Sequence, residues 1–118
     1  MADAGLFIGW GEVVRGREER ALEVFNETIQ FYGQLQADGR IESFEPCLLE
    51  PHGGDLAGFV LLRGTQEQID AVHNDEEFER HLTRANFIVD NLGVIQAALG
   101  EELGRQMGLY QAQVAELV

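Results

Sequence analysis

The sequence predicts an α+β fold in which two strand–helix–strand units build one antiparallel four-stranded sheet. The first unit runs from Leu6 to Glu50 and the second from Leu56 to Leu99, which gives the element order β-α-β-β-α-β. Few topologies accommodate that order in one layer of strands and one layer of helices. An amphipathic segment, Glu101 to Leu117, follows the second unit and predicts a C-terminal helix.

The first unit combines an alternating strand with a long amphipathic helix. Apolar residues alternate between two faces from Leu6 to Val14, which predicts the first strand. The helix is predicted from about Arg17 to Ala37, and its apolar residues cover almost half of the circumference. A stripe that wide indicates burial against more than the sheet alone.

The next two strands differ in predicted position. Ile41 to Glu50 contains Pro46, which donates no ladder hydrogen bond and favours an edge strand. After a hairpin loop at 51–55, the strand Leu56 to Arg63 contains the apolar run Phe59-Val60-Leu61-Leu62, typical of a central strand buried on both faces. An edge second strand and a central third strand match the 4-1-3-2 order of a ferredoxin-like sheet.

The second helical region is predicted to break once. Thr65 and Gln68 form a capping box at its start, and Asn74-Asp75 favours a break with a restart at Glu76. Beyond the restart, apolar residues at helical spacing predict one continuous stripe: Phe78, Leu82, Ala85, Val89 and Leu92. Gly93 to Leu99 is the predicted fourth strand.

The C-terminal segment carries a narrow apolar stripe, the geometry of a seam against one partner. Its members are Leu103, Met107, Tyr110, Val114 and Leu117. Gly104 and Gly108 each cost this helix about 1 kcal/mol relative to Ala, so we expect it to form where it docks. The chain is thus one domain over 1–118, with a core over 5–100 and this helix over 101–118.

Composition excludes several classes of function. The 118 residues include 21 acidic and 8 basic side chains, for a net charge of −13, and every basic residue is Arg. The absence of Lys excludes Schiff-base chemistry. The negative charge makes nucleic acid and membrane surfaces unfavourable partners. Cys47 has no second cysteine to pair with, and no secretory signal or spanning segment is evident, so we expect a soluble cytoplasmic protein.

The element order and one short segment resemble a known superfamily. Asn74-Asp75-Glu76-Glu77-Phe78, followed by His81-Leu82, is similar to the acidic break and aromatic residue in the second helix of many dimeric α/β-barrel proteins. That superfamily includes antibiotic-biosynthesis monooxygenases, haem-degrading monooxygenases, muconolactone isomerases and stress-responsive barrel proteins. The resemblance covers Leu6 to Leu99 and implies a homodimer joined sheet to sheet, with ligands between the sheet and its helices.

Glycines in the predicted strands are the first candidate site. Gly9 and Gly11 share a face of strand one, Gly58 lies in strand three and Gly93 opens strand four. Missing side chains on adjacent strands predict a hollow over the sheet, and tight helix packing or a bulge is the alternative.

Aromatic and polar side chains complete the candidate site. His81 lies at the margin of the second helix's apolar stripe, where it is a candidate base, with a boundary histidine as the alternative. Trp10 and Tyr32 are candidate walls or core residues, and Asn26 and Arg63 are candidates to orient a polar group of the ligand.

Metal and cofactor binding are not expected. The spacing of His73, Glu77 and His81 would align metal ligands on an unbroken helix, but the break at Asn74-Asp75 spoils the alignment. His52 lies in the hairpin loop, where it is solvated or reaches a second subunit. The haem-degrading branch places an Asn on the first strand, and this strand contains none.

Three functions remain open at this stage. The first is a cofactor-independent monooxygenase acting on a phenol or quinol, with His81 as the base. The second is a non-catalytic binding or interaction domain, in which the dimer and the C-terminal helix matter most. The third is an isomerase that needs a single general base.

Overall fold

The computed structural model describes residues 3–118 and confirms the predicted ferredoxin-like α+β architecture. Its strands are β1 (Ala4–Trp10), β2 (Ser43–Leu48), β3 (Gly58–Gly64) and β4 (Gly93–Ala98). Its helices are α1 (Glu18–Ala37), α2 (Gln66–His73), α3 (Glu76–Asn86) and α4 (Gly100–Leu117). The antiparallel sheet has the order β2-β3-β1-β4, so β2 is an edge and β3 is interior, as the sequence predicts.

The pairing register divides the apolar strand residues between two faces. Leu6 lies opposite Leu62, and both are fully buried beneath the helices. Residues on the other side form what we call the open face, because no helix within the described residues 3–118 covers it. Its apolar residues are Phe7, Phe59, Leu61 and Ile95, which are half-buried or exposed. The run in β3 is thus buried on one face within the chain, where burial on both faces was expected.

The predicted helix start and break are both present. Thr65 Oγ1 accepts from the backbone N–H of Gln68 at 3.1 Å, while the Gln68 side chain accepts from the Thr65 N–H at 2.8 Å. At the end of α2, the Asn74 side-chain amide donates to the Asp70 carbonyl at 2.9 Å. Asp75 then precedes the first residue of α3 in an extended conformation.

The ends of α3 and β1 differ from the prediction for one shared reason. The α3 helix ends at Asn86, so Val89 and Leu92 lie beyond it, and β1 ends at Trp10 and not at Val14. After these ends the two segments pair with each other: Val13 bridges Val89, and the Val14 N–H donates to the Ile88 carbonyl at 2.8 Å. A long-range backbone pairing therefore replaces the local helical pattern.

The α4 helix begins at the end of β4 and packs on little of its own chain. It contacts the sheet through β4, and no residue of α4 is buried. Its stripe side chains are all substantially exposed, from Val114 at 44% to Leu117 at 84%. Within residues 3–118, no helix combines the length and the apolar character that crossing a bilayer requires.

Candidate functional site

A pocket of about 490 Å³ lies between the helix-covered face of the sheet and helices α1 and α3. Aliphatic and aromatic side chains form most of its wall. The polar groups among the lining residues belong to Glu18, Thr28, Tyr32 and His81 and to the indole N–H of Trp10. An apolar pocket with a few convergent polar groups is the usual form of a small-molecule site.

Trp10 and Tyr32 occupy the wall from the sheet and from α1. The Trp10 ring packs edge-on against Phe25, with centroids 6.0 Å apart. Tyr32 is 1% exposed, and burial raises its pKa well above the ordinary value for a phenol. Its hydroxyl therefore stays neutral near pH 7, and a neutral phenol can donate a hydrogen bond to a ligand.

His81 lies where α3 packs on α1, with a side chain that is 13% exposed. Its ring stacks on Phe31 with centroids 4.6 Å apart. One ring nitrogen, Nδ1, lies 3.5 Å from Thr28 Oγ1, and the other, Nε2, lies 3.9 Å from a Glu77 carboxylate oxygen. Thr28 was not singled out from the sequence, because only the helix packing brings it to His81.

Burial lowers the pKa of His81 below its ordinary value of 6.5. The carboxylates of Glu77 and Glu27 act in the opposite direction, and Arg84 and Arg80 act in the same direction as burial. The net decrease means that the imidazole is neutral near pH 7. A neutral imidazole at the wall of an apolar pocket can accept a proton from a bound acid.

His81 also borders a second depression on the outer side of the helix pair, which we call the outer groove. The groove has a volume of about 500 Å³ and is lined by charged and polar side chains. Its lining consists of Glu27, Gln30, Phe31, Glu77, Arg80, His81 and Arg84. Arg84 and Glu27 form an ion pair of 2.9 Å across α3 and α1. The imidazole of His81 is therefore shared between an apolar pocket and a charged groove.

The glycines do not open one hollow, so that expectation is wrong. Gly9 and Gly58 occupy opposite faces of the sheet, and each lies beneath an aromatic ring. A Cβ added at Gly58 would lie 2.7 Å from the Trp10 ring, and one added at Gly9 would lie 2.7 Å from the Phe7 ring. Gly11 packs against the backbone carbonyls of Asp55 and Asp90. Gly93 has no atom near its added Cβ and does not line the pocket.

Two further candidates lie outside the pocket. Asn26 is exposed on the outer side of α1. Arg63 lies on the open face, where its guanidinium is 3.9 Å from the Glu45 carboxylate. The structure thus brings together Trp10, Tyr32 and His81, with Gly58 beneath Trp10, and leaves Gly9, Gly11, Asn26 and Arg63 elsewhere.

The other histidines have different environments. His52 is bonded within its own loop: Nδ1 accepts from the Gly54 N–H at 3.2 Å, and Nε2 lies 2.7 Å from the Leu56 carbonyl. His73 is exposed at the end of α2, with its ring centroid 6.4 Å from that of Phe78. Across residues 3–118, no group of three or more His, Cys, Asp or Glu side chains is arranged to hold a metal ion.

Exposed apolar side chains, together with the exposed Glu18, line the outer part of the apolar pocket. Val13, Leu22 and Leu48 line it and are 38%, 67% and 75% exposed. A larger depression of about 680 Å³ lies at the base of α4, beside Asp3, Thr65 and Arg105. It contains none of the candidate residues, and Arg105 there is engaged by Glu102. Of the candidate side chains, Trp10, Tyr32 and His81 line the apolar pocket.

No protein-family model matches the chain, and no curated protein sequence matches it either. Solved structures share its fold. A dimeric protein of unknown function with a ferredoxin-like fold from Bacteroides fragilis superposes with a TM-score of 0.59 at 12% identity, over 81% of this chain and 96% of the other. A dimeric ferredoxin-like protein of unknown function from Jannaschia superposes with a TM-score of 0.59 at 14% identity, over 82% and 98%.

A third solved structure belongs to a characterised protein. SnoaB, a cofactor-independent oxygenase from Streptomyces nogalater, superposes with a TM-score of 0.53 at 18% identity, over 84% of this chain and 95% of that protein. At these identities the likeness establishes the ferredoxin-like fold.

Proposed function

We propose that this protein binds a small aromatic ligand in the pocket between the sheet and helices α1 and α3. The observation that carries the proposal is the convergence of Trp10, Tyr32 and His81 on one apolar cavity. Trp10 supplies a ring face for stacking, Tyr32 supplies a neutral hydroxyl, and His81 supplies a neutral base. A phenol or quinol satisfies all three groups at once.

The proposed reaction is the oxygenation of an electron-rich phenol without a cofactor. His81 accepts the phenolic proton, and the resulting anion is electron-rich enough to react directly with O₂. One oxygen atom forms a new carbonyl on the ring, so that a quinone results, and the other leaves as water with the two displaced hydrogens. The support is the base in an apolar pocket, together with a fold shared with a cofactor-independent oxygenase.

A homodimer is the second part of the proposal. The open face exposes a row of apolar side chains that includes Phe7, Phe59 and Ile95, and Ile95 is 61% exposed. Contiguous apolar surface of this kind is characteristic of an interface. The two similar proteins of unknown function are dimeric, and the same face of a second copy is the simplest cover.

Ligand titration tests the pocket directly. Phenols and quinols added to the purified protein should change the fluorescence of Trp10 and raise the melting temperature, because a ligand that binds the folded state stabilises it. His81→Ala should weaken both responses. His73→Ala is the matched control, since that histidine lies outside the pocket, and it should respond like the wild type. If a broad panel of phenols and quinols leaves fluorescence and melting unchanged, the proposal is wrong.

A non-catalytic binding domain is the alternative that one observation favours. The His81 ring is already stacked on Phe31 and lies beside the Thr28 hydroxyl, an arrangement that also suits a structural histidine. The α4 stripe would then serve an interaction between proteins. Oxygen consumption separates the functions: an oxygenase consumes one O₂ per quinone formed, an isomerase converts its substrate without O₂, and a binding domain leaves the ligand unchanged.

A further inference from the structure

We propose that His81 and Glu77 form a proton relay that carries the proton of the bound phenol out of the apolar pocket into the outer groove. This inference rests on the proposed function and assigns a role to a residue that does not line the pocket. Glu77 acts through His81, so it is a positioning and relay residue and does not touch the ligand.

The position of the His81 ring between two compartments carries the proposal. The ring borders both the apolar pocket and the outer groove. Its Nδ1 atom lies on the side of Thr28, which lines the pocket, and its Nε2 atom lies 3.9 Å from Glu77, which lines the groove. The two nitrogens of one imidazole therefore serve the two compartments, and proton transfer needs no rotation of the ring.

Helix geometry fixes this arrangement. Glu77 and His81 are four residues apart on α3, so they lie one above the other on the same side of the helix. The stacking of His81 on Phe31 of α1 then sets the plane of the imidazole. The break between α2 and α3 leaves both residues on one regular helix, so the break that removes His73 from alignment does not disturb this pair.

The charges around His81 direct the proton toward Glu77. Glu77, Arg80 and Arg84 face the ring from α3, and Glu27 faces it from α1. Glu27 is engaged by Arg84 at 2.9 Å, which offsets its charge. Glu77 is 54% exposed at the groove, so a proton that reaches its carboxylate exchanges readily with water.

The relay moves one proton in and one proton out. In the resting state Nε2 carries the hydrogen and Nδ1 carries the lone pair. The phenol transfers its proton to Nδ1, and the positive imidazole is stabilised by the Glu77 carboxylate. Because 3.9 Å is longer than a hydrogen bond, Nε2 then releases its proton through a bridging water to Glu77 and on to solvent, which leaves a phenolate in the pocket and a neutral imidazole with the hydrogen on Nδ1. The ring returns to the resting tautomer by exchange with water.

Nuclear magnetic resonance of the ligand-free protein is the first test. The ¹⁵N shifts of His81 should show the Nε2–H tautomer, and Glu77→Gln should lower the pH at which His81 titrates, because the variant removes the carboxylate that favours the charged ring. Glu76→Gln is the matched control on the same turn of α3, and it should leave the titration nearly unchanged. An Nδ1–H tautomer, or equal titrations in wild type and Glu77→Gln, would overturn the relay.

Binding of 4-nitrophenol is the second test, since its phenolate is coloured and its phenol form is not. After rapid mixing at neutral pH, the coloured bound phenolate should appear about threefold more slowly in Glu77→Gln, because the transient positive imidazole loses its carboxylate partner, and it should appear at the wild-type rate in Glu76→Gln. If the probe binds and changes Trp10 fluorescence but Glu77→Gln matches wild type, the relay is wrong and the proposed function stands. If the probe and the whole panel of phenols and quinols all fail to bind wild type, both proposals fail.

Discussion

Both faces of the sheet carry large apolar side chains, and the two faces differ in what covers them. On one face, Leu6 and Leu62 are fully buried under helices of the same chain. On the other, Phe7 and Phe59 stack on each other with centroids 4.9 Å apart and are half-buried, and no helix within residues 3–118 covers them. The comparison teaches that the helices of this chain complete the core on one face and leave apolar side chains without helical cover on the other, which is where we propose the dimer interface. It also locates the pocket, which lies on the covered face.

Leu61 and Leu62 are adjacent in β3 and lie on opposite faces of the sheet. Substitution of Leu62, on the covered face, should reduce stability most. Leu62→Ala removes a fully buried side chain and leaves a cavity, so we expect a loss of about 3 kcal/mol in the free energy of unfolding. Denaturation in urea measures it. The loss should not depend on protein concentration, because Leu62 lies inside one chain; a loss confined to dilute protein would place Leu62 at an interface instead.

The neighbouring residue tests the open face. Leu61→Gln puts a polar amide on that face, and it should weaken the proposed dimer by about 2 kcal/mol, which is about thirtyfold in the dissociation constant. Light scattering across a dilution series measures the mass, which should fall toward the 13.1 kDa of one chain. The proposed dimer is wrong if wild type already scatters as one chain at every concentration.

Residues that act locally made much of this fold predictable. The capping box at Thr65 and the break at Asn74-Asp75 follow from hydrogen bonds within four residues, and both are present. Pro46 correctly indicated an edge strand, because proline has no N–H to donate and therefore cannot complete the hydrogen bonds of an interior strand. The end of α3 was not predictable in this way, because Val89 pairs with Val13, a residue far away in the sequence.

In the candidate site, too, features set by nearby residues were predictable and features set by distant residues were not. His81 at the stripe margin and Tyr32 within the α1 stripe followed from helical periodicity, and they meet Trp10 in one pocket. The side chain that fills the space over a glycine belongs to another position in the sheet, such as Trp10 over Gly58, so periodicity could not predict the absence of a glycine hollow. Thr28 reaches His81 only through the packing of α1 on α3.

Gly58 and Gly9 lie beneath aromatic rings on opposite faces of the sheet. Substituting each by alanine compares the two faces again, with a smaller expected change in stability. Gly58→Ala would place a Cβ 2.7 Å from Trp10 and 2.8 Å from the Cys47 carbonyl, so the ring and the backbone must both shift. We expect a cost of about 1.5 kcal/mol and a changed Trp10 emission spectrum. Gly9→Ala meets the ends of the Phe7 and Leu56 side chains on the uncovered face, where they have room to move. It should cost less and leave Trp10 emission unchanged, as melting and fluorescence of both variants will measure.

The smallest expected effect comes from the titration of His81. Its pKa is lowered in the folded chain, so the unfolded chain binds a proton more readily as the pH falls below about 6.5. The neutral ring therefore contributes stability above that pH, and the contribution is lost on acidification toward the folded pKa. His81→Gln should show a shallower decrease in melting temperature than wild type between about pH 8 and about pH 5.5, a range that spans this titration. His73→Gln is the matched control, since that histidine is exposed and lies outside the pocket. Equal slopes of melting temperature against pH for wild type and His81→Gln would mean that water solvates the His81 ring as well as it solvates an exposed histidine. The pocket would then lack the apolar character on which its proposed chemistry depends.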